Sequence, residues 1–163
     1  MSEDFVSIRR MEPGEEDQVC QFVLQVFNDF VAQLYEHEEV EEFTRYADAK
    51  LMAKRVQSNH FILIAEANGK MIGAIEIRNF NHISLLFVSR EKQHQGIGRQ
   101  LLREALIIAR QHEPDLTEVA VHSSPNAVDA YKKLGFHTAG PEKLENGISF
   151  IPMKMRIKNA GNV

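Results

Sequence analysis

Apolar residues recur along this chain with two different periods, and the change between them marks out the elements. Val19, Phe22, Val23, Val26, Phe27, Phe30, Val31 and Leu34 fall on one stripe of an amphipathic helix. The spacing predicts a helix over roughly Glu15–Leu34, a second over roughly Val40–Gln57, and a short strand, Phe5–Arg10, ahead of both. From Phe61 the pattern becomes that of strands. Phe61–Ala67 and Met71–Arg78 flank Asn68-Gly69, a pair suited to the positive-φ positions of a tight hairpin. After a polar turn at Asn79–Asn81, the apolar run Ile83–Val88 has the length of a buried strand.

Ser89–Gln95 is polar and leads through Gly96-Ile97-Gly98 into a helix to about Gln111. Leu101, Leu102, Ala105, Leu106, Ile108 and Ala109 line that helix's inner side, and Pro114 prevents its continuation. Glu118–His122 reads as a strand, and Asn126–Leu134 as a helix closed by Gly135. Ile148–Arg156 is the last strand, following a hairpin turn at Asn146-Gly147. The order β-αα-ββ-β-α-β-α-ββ sets a strand–helix–strand crossover among hairpins. It calls for a mixed sheet with helices on both faces. Without repeats or linker-like tracts, residues 1–163 are expected to form a single domain.

Composition narrows the function classes. Lys and Arg number 19 against 23 Asp and Glu, so the net charge of −4 gives no basic footprint for a nucleic-acid partner. No apolar run reaches the ~20 residues of a membrane span, and MSEDFVSIRR has no apolar leader core. Cys20 is the single cysteine, which excludes an internal disulfide and fits a reducing, cytoplasmic setting. It lies beside the apolar helix stripe and is expected to be a structural thiol. The histidines lack ligand spacing, so no metal site is expected.

The chemistry concentrates around Gly96 and Gly98. A strand-to-helix junction presents unpaired N–H groups at the positive end of a helix dipole, and glycine lets an anion approach them closely. A dinucleotide fingerprint would need glycine where Leu101 stands, and a P-loop would need Gly-Lys-Ser/Thr where Arg99 follows Gly98. Neither motif is present. Gln93-His94-Gln95-Gly96-Ile97-Gly98 instead resembles the Gln/Arg-x-x-Gly-x-Gly/Ala signature of the GCN5-related N-acetyltransferase (GNAT) superfamily. Asn126 followed by Tyr131 and Gly135-Phe136 is similar to that family's later helix motif. Arg90 departs from the family, many of whose members carry proline there.

The resemblance implies an α/β fold with a mixed, mostly antiparallel sheet of about seven strands and a splayed central pair. It implies acetyl-CoA as co-substrate, a primary amine as acceptor and direct transfer between them. Main-chain groups of Leu86 and Val88 would bind the pantetheine arm, and the N–H groups of His94, Gln95, Gly96, Gly98 and Arg99 the pyrophosphate. The Asn126 side chain would also meet the cofactor, besides being a good N-cap in its own right. Tyr131 would be the acid, since a phenol with a pKa near ~10 keeps its proton at neutral pH. His82, six residues before Val88, stands where family members often carry the base. A limb near pH ~6.5, moved by burial, is expected from it, with Glu76, His122 or water in reserve. Five glutamates between Glu36 and Glu42 form either a solvated helix start or an acidic rim for a cationic amine. Homodimers are common in the family. A catalytically silent acyl-CoA-binding domain is the alternative reading, and a pure protein-interaction domain is disfavoured by the glycine loop.

Overall fold

The computed structural model describes residues 5–30 and 34–157. The strands are β1 (Val6–Arg10), β2 (His60–Ala67), β3 (Lys70–Arg78), β4 (His82–Val88), β5 (Glu118–Ser123), β6 (His137–Thr138), β7 (Lys143–Glu145) and β8 (Ile148–Arg156). The helices are α1 (Glu16–Phe30), α2 (His37–Tyr46), α3 (Ala49–Val56), α4 (Ile97–His112) and α5 (Val128–Leu134). Strands join in the order β1-β2-β3-β4-β5-β8-β6, with β7 added on β8. Every pairing is antiparallel except β4 with β5, as the crossover through α4 requires.

Two departures from the sequence reading have local causes. The expected helix Val40–Gln57 is broken, because Asp48 leaves helical geometry (ψ 131°) to accept the Leu51 N–H at 3.0 Å. An aspartate here does more as a cap for α3 than inside a longer helix. The expected helix from Asn126 starts as a 3₁₀ turn, Pro125–Ala127, so Asn126 lies inside a turn and is not a helix cap. Pro125 fixes the first φ one residue earlier than the asparagine. Of the first helix's apolar stripe, Val31 lies outside the described residues.

Helices cover both faces. On one, Leu63, Ile75, Ile77, Val119 and Met153 of the sheet pack against Leu101, Leu102 and Ala105 of α4 and against Phe136. On the other, Val19, Cys20 and Val23 of α1 and Met52 of α3 cover Ile62, Ile64, Ala74 and Leu85. Each fully buried Leu, Ile, Val, Phe or Met among them contributes about 1.5–3 kcal/mol by leaving water. Gly73 sets the approach of α4 to the sheet. A Cβ there would come within 3.0 Å of Leu101 Cδ1 and 3.3 Å of Ile97 Cγ2.

The central strands separate almost at once. Only His82↔Ala120 and Ile83↔Val121 pair between β4 and β5, after which β4 runs on to Val88 without β5 beside it. Opposite β3, Leu85 pairs with Glu76 and Ile83 with Ile77, which leaves Ser84 as a bulge.

Candidate active site

The junction between β4 and α4 has the form the sequence suggested. His94 (φ 64°) and Gly96 (φ 83°) both take left-handed backbone, and Gly96 caps α4. The first α4 amide to find an acceptor is that of Gln100, on the Gly96 oxygen at 3.0 Å. The N–H groups of Ile97, Gly98 and Arg99 are the helix's orphan donors. The Arg99 guanidinium is engaged elsewhere, donating to the Lys133 carbonyl at 2.7 Å and tying α4 to the end of α5. Gly98 is half-buried, and a Cβ there would meet only Val88 Cγ2, at 4.0 Å.

The edge of β4 faces the gap. Along a strand, main-chain groups alternate sides. The Ser89 N–H donates to Ile72 of β3 at 2.9 Å, so the groups of Leu86 and Val88 turn the other way, toward the space β5 vacates. The Val88 carbonyl already accepts from Gln93 Nε2 at 3.1 Å, leaving the Val88 N–H and both groups of Leu86 for an extended ligand. The glutamine of the signature therefore has a structural task, which glycine spacing does not reveal.

Tyr131 lies on α5, half-buried, with its ring 5.5 Å from that of Phe136 in an edge contact. Burial, and to a lesser degree the nearby Tyr35, push its phenol well above the usual range. It therefore keeps its proton at any ordinary pH. Tyr35, unmarked by any motif, also stacks on Phe27 at 5.9 Å, in the segment entering α2. Asn126 is exposed and so free to meet a ligand.

On the opposite face stand the base candidates. His82 is 8% exposed. Its pKa is pushed down to about 3, by burial first and then by Arg78 and His122. The limb expected near ~6.5 is thus displaced far down, and His82 is neutral throughout the working range. The linkage has a definite sign. An unfolded chain takes up the proton near pH ~6.5, whereas the folded protein refuses it until about 3. Stability is fully present above that upper value and falls as pH drops through the window. The slope of unfolding free energy against pH in that window is expected to be shallower in His82→Gln; an identical slope would show that His82 stays solvated.

Beside it, the His122 ring lies edge-on to His82 at 4.5 Å and stacked on Phe150 at 4.0 Å. Glu76 belongs to a different unit. Fully buried, it receives Arg55 Nε at 2.8 Å and Nη2 at 3.1 Å, and His60 Nδ1 lies 2.8 Å away. The Arg55 guanidinium also covers the Tyr46 ring at 3.8 Å and donates to the Tyr46 carbonyl. With its oxygens engaged, Glu76 is a structural anion. Cys20 is likewise structural, buried with its thiol pushed up to about 11 by desolvation and its Sγ 3.8 Å from Met52 Sδ.

The glutamate run is mostly committed to local contacts. Glu36 and Glu39 form the capping box of α2, Glu39 also accepts the Ser149 N–H at 3.1 Å, and Glu41 and Glu42 pair with His37 and Arg45. These are the contacts of a solvated helix start. Aromatic rings lie between the helices and β4: Phe27 stacks on Phe43 at 4.1 Å, and Phe43 tilts against Phe87 of β4 at 5.6 Å.

Residues 31–157 match the family model described as an acetyltransferase (GNAT) domain. Over 65 residues the chain is 34% identical to the peptidyl-lysine N-acetyltransferase YjaB of Salmonella typhimurium (strain LT2), a stretch covering 40% of this chain and 42% of that relative. The match thus spans less than half of the relative's length. The fold is similar to that of a GCN5-related N-acetyltransferase from Rhodopseudomonas palustris, with a TM-score of 0.80 at 19% identity over 96% of this chain and 99% of the other. It is also similar to the PaiA N-acetyltransferase of Thermoplasma acidophilum solved in complex with coenzyme A, with a TM-score of 0.76 at 22% identity over 94% and 99%.

Proposed function

The chain belongs to the GNAT acetyltransferase family, and on that premise we propose that it moves an acetyl group from acetyl-CoA directly to a primary amine. The observation that carries this reading is the continuous track of unpaired main-chain groups. It runs from both groups of Leu86 and the Val88 N–H along the gap to the orphan N–H groups at the start of α4. Amide groups of a pantetheine arm match the first part, and a pyrophosphate matches the second. Acetyl-CoA supplies the activated acyl carbon and a thiolate leaving group with a pKa of the order of ~8.5.

The residues divide the remaining work. Tyr131 holds a proton that the departing sulfur needs. A main-chain N–H in the gap donates to the oxygen on which negative charge develops. The base is drawn from the two imidazoles, His82 and His122, on the acceptor face. The peptidyl-lysine activity in the name of the Salmonella relative makes a lysine side chain the first acceptor to try.

The test mixes the protein with acetyl-CoA and a panel of lysine peptides, polyamines and amino acids, reading free thiol. Thiol release with an acetylated amine as product is expected. Tyr131→Phe is expected to lower kcat by about 10²-fold while calorimetric affinity for CoA is unchanged. If the wild type binds CoA but acetylates no amine, a silent acyl-CoA-binding domain is the better reading. A wild-type kcat in Tyr131→Phe would reassign the tyrosine to packing.

A further inference from the structure

We propose that His122 is the residue that receives the acceptor amine's proton, and that His82 and Phe150 position its ring for this. The inference rests on the acetyl-transfer reading above and assigns roles within the histidine pair.

The last paired rung between β4 and β5 is Ile83↔Val121, so His122 is the first residue of β5 beyond the seam, level with the bulged Ser84. Side chains alternate across a strand. Val119 and Val121 enter the core beneath α4, so His122 points to the face carrying α1–α3. It therefore stands at the throat of the gap, on the face away from α4, whose first N–H groups the reading above assigns to the pyrophosphate. His82 lies one rung behind, opposite Ala120, and is buried. His122 is exposed. An acceptor nitrogen thus meets His122 before it can reach His82.

The ring is held rather than loose. Phe150 of β8 stacks on one side at 4.0 Å, at an interplanar angle of 16°. His82 supplies an edge at 4.5 Å and 81°. Two neighbours from different strands fix both tilt and position, which keeps a ring nitrogen aimed at one place.

The proton balance is straightforward. The amine's lone pair forms the new N–C bond while the C–S bond breaks. The N–H proton, made acidic as that lone pair is committed, passes to the free imidazole nitrogen of His122. The amine enters as the free base, its ammonium proton already lost to solvent; the sulfur takes its proton from Tyr131, the imidazolium gives its own to solvent, and Tyr131 regains one from solvent. A weakly basic imidazole suffices, because it takes the proton from a nitrogen already bonding to carbon rather than from a free ammonium. Desolvation of the ring where it packs against Phe150 and His82 lowers the His122 pKa, as does the charge of Arg78 on β3 and of Lys143 on β7, while Glu145 on β7 opposes them. The ring is then neutral, and competent, from below its ordinary ~6.5 upward.

The experiment compares wild type, His122→Gln and His82→Gln, using whichever amine the wild type acetylates. Profiles of kcat/KM against pH are paired with NMR titration of the imidazole resonances in the unliganded protein. The wild-type profile is expected to have a lower limb at the pKa that NMR assigns to His122. In His122→Gln, kcat is expected to fall about 10²-fold and that limb to vanish, with CoA affinity kept. His82→Gln should retain the limb with a smaller loss in kcat, and its His122 resonance should shift, reporting the lost neighbour. If His82→Gln erases the limb while His122→Gln keeps it, His82 is the base and the assignment is overturned. If both variants keep limb and rate, neither imidazole takes the proton and the proposal fails alone. If the wild type acetylates no amine, the acetyl-transfer reading and the proposal fail together.

Discussion

Gly98→Val is expected to give a folded protein whose affinity for acetyl-CoA is at least ~10²-fold weaker, roughly 2.7 kcal/mol. The position asks nothing of glycine for folding. Its φ is not left-handed, and a Cβ would make one ordinary contact, with Val88 Cγ2 at 4.0 Å. Valine also costs no more than glycine in the first turn of a helix. The lack of a side chain matters instead for whatever approaches the orphan N–H groups of α4. An isopropyl group there would hold a pyrophosphate beyond hydrogen-bond distance of them. Calorimetry with CoA, beside a thermal melt of the free variant, separates the outcomes. Unchanged affinity in a folded variant would mean that the loop merely turns the chain.

Glu76→Ala is expected to lower stability by about 3–5 kcal/mol, or roughly 6–20 °C in melting temperature for a chain of this size. Arg55 would remain with only 14% of its side chain exposed and its two carboxylate bonds gone. The cost arises from the stranded charge, so the double variant Glu76→Leu/Arg55→Met should recover most of it. Chemical denaturation of the single and double variants measures both. A loss below ~1 kcal/mol in Glu76→Ala would show that water reaches the guanidinium and that the network is only superficially buried.

That network marks where the sequence stops being readable. Strand and helix periods, the Asn68-Gly69 and Asn146-Gly147 turns and the glycine junction are local signals, and they placed most elements near their observed bounds. Glu76 is a reserve base on sequence alone, which shows only a carboxylate within a strand. The sequence does not show that Arg55 and His60, from other elements, converge on it. For the same reason His82 was singled out by its distance from Val88, while Phe150, on a strand that reaches the site from beyond α5, had no motif to mark it. The two-helix reading failed at Asp48 because capping depends on whether one side chain turns back to one amide, which periodicity does not encode. Gln93 falls between these cases. It was visible as part of a signature, but its bond to the Val88 carbonyl emerges only once the loop folds over the strand.

The seam between β4 and β5 has a thermodynamic side. Strands β1–β4 are held by long antiparallel ladders, as are β5 and β8, yet the two sets meet through only two rungs. The second core, beneath α1 and α3, lies wholly within the first set, so only the core beneath α4 spans the seam. In hydrogen-exchange terms such a sheet is expected to open as two cooperative units with a weak joint. Amides of β5 would open to solvent at a lower free energy than those of β2 and β3. A ligand lying along the gap acts as the missing ladder. It would couple the units, and part of its binding free energy is expected to appear as protection of β5 amides it never touches.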